Sequence, residues 1–159
     1  MAATRSSALD LYRRISQLPL GNWLFSRMVC WRAPYFGSIR PLFEELRPGY
    51  AVASMRKRRA VQNHIGTVHA IAMANLCELV AGTMTEVSVP ANMRWIPKSM
   101  TIEYRGKAET DLRAIASLDP MPSFDTAADL LVPVDVKDEN NKVVVHAVIT
   151  MWVSPRPAR

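Results

Sequence analysis

The sequence predicts a single α+β domain in which a curled antiparallel sheet wraps one long buried helix, with extra helices at the N-terminus. Three observations carry that expectation. The run from Val68 to about Ala81 is apolar on every side, and a helix apolar all round is buried all round. After Pro90 every patterned segment reads as a strand, about four in succession, separated by turn residues. One or two further strands precede the helix, and nothing else in the chain can cover it on all faces except a sheet curled around it.

The elements follow in order. Leu9, Tyr12, Ile15 and Leu18 recur at helical spacing, which predicts a short amphipathic helix over 5–18, broken by Pro19 and Gly21. A second helical stretch runs from about Asn22 to Trp31, and Pro34, Gly37 and Pro41 mark a connecting turn region. Pro48-Gly49 supplies a turn between two strands, the second alternating Tyr50, Val52 and Ser54 with Ala51, Ala53 and Met55. Thr67 is the expected N-cap of the apolar helix and Gly82 its expected stop. Strands follow at "MTIEYRGK", "DLRAIASL", "DLLVPVDV" and "KVVVHAVITMWV", the last pair joined by a hairpin turn at Asp138-Glu139-Asn140-Asn141. The last strand is almost continuously apolar and is expected inside the sheet. The division is an N-terminal helical extension over 1–38, a domain over 39–154 and a frayed tail over 155–159.

Composition narrows the class. At 159 residues, 49% hydrophobic and 21% charged, the chain suits one globular domain with a genuine core. Cys30 and Cys77 form neither a disulfide framework nor a CxxC pair, so a reducing, cytoplasmic setting is expected. No apolar run approaches the ~18 residues of a membrane span. The net charge of +6 is arginine excess. The first forty residues set Arg5, Arg13, Arg14, Arg27, Arg32 and Arg40 against Asp10 alone. That resembles a transit peptide, but Trp23, Phe25, Trp31, Tyr35 and Phe36 favour structural helices. The run Arg56-Lys57-Arg58-Arg59 reads as a solvated strand end. Its alternative, a nucleic-acid surface, has no interleaved aromatic platform, so no nucleic-acid partner is expected.

The chemistry gathers around the apolar helix. Glu78 is a lone acid among Ala74, Leu76, Cys77, Leu79 and Ala81. Burying a carboxylate without compensation costs several kcal/mol or forces it to take up a proton. Glu78 therefore escapes to water at a groove, pairs with an arginine, faces a subunit interface, or serves as a tuned base or nucleophile. Ahead of the helix stands Asn63-His64-Ile65-Gly66-Thr67-Val68-His69. The unpaired N–H groups and positive dipole of a helix N-terminus there suit a developing oxyanion. His69 and Glu78 are nine residues apart, about 13.5 Å of helix axis, too far for a hydrogen-bonded dyad within one chain. Ser54 and Ser99 sit in no nucleophile elbow, and His64, His69 and His146 lack metal-ligand spacing, so no metal is expected.

The stretch "NHIGTVHAIAMANLCE" resembles the signature of hotdog-fold thioesterases, particularly the PaaI-like acyl-CoA thioesterases and the related DUF4442 family. Asn63, His69 and Glu78 fall at that signature's spacings, and the resemblance covers roughly Tyr50 to Val153. It implies a hotdog fold and hydrolysis of acyl thioesters, with coenzyme A part of the substrate and no separate cofactor. By the same resemblance Glu78 is the base or nucleophile that delivers water, and Asn63 orients water or substrate. The backbone near His69, Ala70 and Ile71 polarises the carbonyl, with His64, Gly66 and Thr67 forming the surrounding loop. Arg56, Arg58, Arg105 and Lys107 are the candidates for the coenzyme A phosphates. A homodimer is implied, with the site at the interface and further pairing of dimers open. The N-terminal helices would cover the acyl tunnel, extend the dimer, or simply pack on the outer sheet face. The sequence departs from the signature in Ala70 and Ile71, where the family commonly has two glycines, and in Gly82, where some relatives carry a hydroxyl. A non-catalytic acyl-binding protein and a hotdog dehydratase are the alternatives on this fold; no His-Pro loop supports the dehydratase.

Overall fold

In the computed structural model, which describes residues 7–157, six strands form one antiparallel sheet that curls against a single long helix. The helices are α1 (Ser7–Ile15), α2 (Gly21–Arg32) and α3 (Ala70–Ser88). The strands are β1 (Leu42–Arg47), β2 (Tyr50–Met55), β3 (Met93–Tyr104), β4 (Leu112–Ser117), β5 (Ala128–Lys137) and β6 (Val143–Pro155). Their order across the sheet is β1-β2-β4-β5-β6-β3. Short 3-10 turns at Pro34–Ile39 and Arg59–Val61 complete the regular structure. The long helix on an open, curled antiparallel sheet is the hotdog architecture.

The inner face of the sheet is set by alternation. Ala51, Ala53, Leu112, Ala114, Val132, Val134, Ala147 and Ile149 turn towards α3 and are buried. Alanines on β2 and β4 let the helix lie close, and Leu76, Leu79, Val80 and Met84 fill the space between. Each such side chain taken fully from water contributes roughly 1.5–3 kcal/mol. The β5–β6 hairpin closes as expected: Asp138 Oδ1 accepts from the N–H groups of Asn140 and Lys142, both at 2.9 Å, and Asn141 is left-handed at φ 61°.

Four expectations about α3 are corrected. Its N-cap is His69 rather than Thr67, and it runs through Gly82 to Ser88. Gly82 is needed there for packing. A Cβ at that position would stand 3.2 Å from the Trp95 ring, which leans over the helix from β3. The helix is also not buried all round, because Ile71, at 56% exposure, and Glu78 lie on a stripe that none of the described residues covers. Finally, α3 is long and apolar enough to cross a membrane, unlike the expectation from sequence, yet most of it is buried within the fold.

The two edges of the sheet are treated differently. Along β1 the N-terminal helices supply the missing hydrogen-bond partners. Phe43 N–H donates to Ser26 Oγ at 2.8 Å, Tyr12 Oη donates to the Glu44 carbonyl at 3.2 Å, and Arg27 donates to the Pro41 carbonyl at 2.7 Å. Tyr12, Phe25 and Phe43 stack edge to face, so α1 and α2 pack on the core side of β1 rather than on the outer sheet face. Gly21 permits the tight join of the two helices, since any Cβ would fall 1.8 Å from the Ile15 carbonyl oxygen. At the opposite edge, among the described residues β3 pairs with β6 alone and its other side is open along all twelve residues. Of the expected frayed tail, Pro155 still belongs to β6. Arg156 Nε donates to the Met93 carbonyl at 2.8 Å, and residues 158–159 lie outside those described, as do Arg5 and the first residues of the expected opening helix.

Candidate active site

The loop entering α3 is built by Asn63. Its Oδ1 accepts from the N–H groups of Ile65 and Thr67, both at 3.1 Å, while its Nδ2 donates to Thr67 Oγ1 at 2.7 Å. Its own N–H donates to the Thr67 carbonyl at 2.9 Å. The amide is therefore spent on holding the loop, and one N–H of the side chain remains for a ligand. Thr67 is buried, while His64, Ile65 and Gly66 form the exposed tip, with Gly66 at φ 82°. Val68 N–H donates to the Ala108 carbonyl and His69 N–H to the Val61 carbonyl, each at 2.8 Å, which fixes where the helix begins.

His69 then caps the helix with its side chain. Nδ1 accepts from Ile71 N–H at 3.0 Å, so the neutral imidazole carries its proton on Nε2. This assigns the first-turn donors. Ile71 N–H is occupied, whereas among the described residues Ala70 N–H and Ala72 N–H have no acceptor. Across the helix end, Tyr104 Oη on β3 donates to the Ala70 carbonyl at 3.2 Å. Burial, and to a lesser degree the neighbouring Cys77, pushes the Tyr104 phenol above its ordinary value. Cys77 itself lies on the buried face of α3; burial first and Asp135 second raise its thiol to about 12, so it is a core group and not a nucleophile.

A cleft of about 190 Å³ opens beside this helix end, between α3 and the turn that follows α2. Tyr35, Ile39, Val61, His69, Ile71 and Asn75 line it. Asn75 is buried; its Nδ2 donates to Ser38 Oγ at 3.2 Å, and its Oδ1 has no partner. A larger cleft of about 260 Å³ lies at the far end of α3, against Glu86, Trp95 and Arg156, and none of the motif residues reaches it.

Glu78 does not join the helix end. It is exposed on the uncovered stripe of Ile71, Ala74, Glu78 and Gly82, which runs alongside β3. The desolvated carboxylate expected from its apolar neighbours is absent from the single chain, because those neighbours point into the core and Glu78 points away from it. Tyr104 guards one end of the stripe, and the other is closed by Trp95, whose Nε1 donates to Glu86 Oε2 at 2.8 Å. The basic candidates scatter. Arg58 is half-buried and donates to the Ser38 carbonyl, while burial and the nearby Arg40 lower its pKa. Arg105 is paired with Glu103 at 2.7 Å, on the side of β3 away from the helix. Arg56 and Lys107 are exposed, with Lys107 next to the Ala108 carbonyl that anchors the entry loop. His146 sits on the outer sheet face, 2.7 Å from Asp135, outside the site. Among the described residues no group of His, Cys, Asp and Glu could hold a metal ion.

Comparison with known proteins agrees with this architecture. Residues 21–153 match the family model described as a domain of unknown function, DUF4442. The chain belongs to the DUF4442 family. A crystal structure known only by a genomics label is 47% identical over 94% of this chain and 99% of its own, with a TM-score of 0.83. A Pseudomonas aeruginosa protein of unknown function, described as a probable thioesterase, is 24% identical, covers 87% of this chain and 97% of its own, and has a TM-score of 0.76. A Haemophilus influenzae thioesterase shares the fold at 12% identity, covering 76% of this chain and 82% of its own, with a TM-score of 0.67. No curated protein matches the chain.

Reasoning from sequence missed Tyr104, Tyr35 and the cleft role of Asn75. Tyr104 reads as one more alternating strand residue, and only the curl of the sheet brings it to the helix end. Tyr35 lies in a turn region without any periodic signal.

Proposed function

We propose that this protein hydrolyses acyl thioesters, with acyl-coenzyme A as substrate, and that it works as a homodimer joined through β3. The reading rests on one observation above the others: Asn63, His69 and Glu78 hold the thioesterase spacing, and Glu78 lies exposed beside a free strand edge. A long unpaired edge bearing Ile96, Met100 and Tyr104 is a template for pairing with another strand. A second copy docked there covers the stripe on α3 and takes Glu78 out of bulk water. About 13.5 Å of axis separates His69 from Glu78 on one helix, so the acid of one copy serves the helix end of the other.

In this scheme the thioester carbonyl accepts from Ala70 N–H at the positive end of α3. Glu78 takes a proton from water as the water oxygen bonds to the carbonyl carbon. Collapse of the tetrahedral adduct breaks the carbon–sulfur bond, and the departing thiolate takes up the proton, leaving a carboxylic acid and free coenzyme A. No cofactor enters. Arg56 and Lys107, the two candidate cations that are exposed and outside any ion pair among the described residues, meet the coenzyme A phosphates. The two free cysteines fit a reducing, cytoplasmic setting.

The test is thiol release from a panel of acyl-coenzyme A esters. Glu78→Gln is expected to lower kcat/KM by at least about 100-fold while the melting temperature holds. Undiminished turnover in that variant removes Glu78 from the mechanism. A second reading, acyl-coenzyme A binding without hydrolysis, is favoured by the occupied state of Ile71 N–H and of the Asn63 amide. Saturable binding of the same panel without thiol release selects it.

A further inference from the structure

α2 is apolar on both of its long faces. One face carries Phe25 and Val29 and is packed into the fold; the other carries Trp23, Leu24, Met28 and Trp31 and is open to solvent. At about 100° per residue these four fall within an arc of roughly 140°, a stripe crossed by Arg27, whose half-buried guanidinium is turned to the Pro41 carbonyl at 2.7 Å. Leu20, just before the helix, and Tyr35, just after it, extend the same exposure, with Trp31 at 84% and Leu20 at 79%. A patch of this kind on a single chain marks a surface that meets something else.

Its chemistry selects the partner. Arg13, Arg14 and Arg32 are exposed on α1 and α2, and none of them pairs with a carboxylate among the described residues. Asp10 is the only acid between residues 7 and 40. An apolar helical flank with tryptophans, a terminal tyrosine and a cationic border has the composition of a segment lying in a membrane interface. The charge complements anionic lipid rather than a second copy of this basic surface. Trp23, Leu24, Met28 and Trp31 line neither cleft, so they form a flank suited to a soft phase rather than a groove for a peptide. A copy paired through β3 leaves it uncovered, because β1 and β3 are opposite edges, five strand spacings or about 24 Å apart along the sheet.

We propose that α2 docks this protein on anionic lipid bilayers, with Trp23, Leu24, Met28 and Trp31 in the interfacial region and Arg13, Arg14 and Arg32 against lipid phosphates. Tyr35 belongs to both this patch and the cleft beside His69, so docking places the cleft mouth next to the bilayer. The proposal stands independently of the hydrolysis reading.

Flotation of the full chain with equimolar phosphatidylcholine–phosphatidylglycerol vesicles, alongside pure phosphatidylcholine vesicles, tests it without any substrate. The wild type is expected to float with the anionic vesicles, less so as salt is raised, and at least about tenfold more weakly with the neutral ones. The double variant Trp23→Ser, Trp31→Ser is expected to lose binding by at least about tenfold while its thermal melt shows an intact fold. Wild-type protein that stays with the soluble fraction overturns the proposal, as does binding the double variant retains in full. Light scattering in which the double variant dissolves an oligomer, with no flotation of the wild type, assigns the patch to a second copy instead.

Discussion

Replacing Ser26 by alanine isolates the joint between the N-terminal helices and the sheet. Ser26 is fully buried; its Oγ accepts from Phe43 N–H at 2.8 Å and donates to the Asn22 carbonyl at 2.6 Å. The second bond matters little, since the Asn22 carbonyl keeps its acceptor role within α2. The first is the only partner of a buried backbone donor on edge strand β1. Leaving such a donor unsatisfied costs about 1–3 kcal/mol, and the midpoint of about 2 kcal/mol corresponds to a drop of roughly 4–8 °C in Tm for a domain of this size. Trp23→Ala is the control: a far larger side chain on the same helix, exposed to solvent, with an expected change within about 0.5 kcal/mol. Thermal and urea denaturation of both variants give the comparison. A Tm for Ser26→Ala within about 1 °C of wild type refutes the account, because the β1 edge would then not depend on α2 for its hydrogen bonds.

Three further outcomes follow from the site and its supports. His69→Ala removes the cap on Ile71 N–H and is expected to cost about 1 kcal/mol in urea unfolding, most of which His69→Asn restores because asparagine caps equally well. Gly82→Leu drives Trp95 off the helix and breaks its bond to Glu86; a loss of about 1–3 kcal/mol is expected, read by denaturation together with tryptophan fluorescence. The Cys77 thiol, raised from 9.0 to about 12, is neutral at pH 8 and should resist alkylation until the protein unfolds, while the partly exposed Cys30 reacts earlier; mass spectrometry of timed samples decides it. Because the folded value is the higher one, the contribution of Cys77 to stability is complete below pH 9 and declines between pH 9 and about 12.

What could be read from the sequence depended on whether a signal was local. Pro48-Gly49 and Asp138 to Asn141 announce their turns through backbone chemistry alone, and both hairpins lie where those residues put them. The first part of β3 was hidden because Pro97 argues against a strand, and only at a sheet edge is its missing N–H harmless. Gly82 reads as a helix stop until Trp95, thirteen residues later, is known to lie on it. Thr67 looks like a cap, but its hydroxyl is taken by Asn63, and the capping atom is an imidazole nitrogen two residues on. The positions of Asn63, His69 and Glu78 were legible as a spacing. Their separation into a loop brace, a helix cap and an exposed acid required side-chain orientation, which no spacing encodes.

α2 and α3 each keep one largely apolar stripe uncovered by the described residues after folding. An all-round apolar helix therefore reports the sum of what covers it, whether that cover comes from its own chain or from outside. The two stripes differ in what borders them. The α3 stripe holds an acid and lies beside a strand edge left unpaired by the described residues, a row of N–H and C=O groups that can template another strand in fixed register. The α2 stripe contains no carboxylate, and its border is arginine without directional backbone donors. On the readings proposed above, one surface takes a partner of defined geometry and the other an anionic phase of none. If both demands are met at once, the β3 edges pair at the centre of the assembly and the α2 helices lie at its two outer ends, on opposite sides from the shared seam. Vesicle binding should then be stronger for the paired protein than for a chain with β3 pairing blocked by Met100→Lys, since two α2 helices that reach one bilayer act together. Equal binding by the two forms would show that the outer helices do not face the same surface.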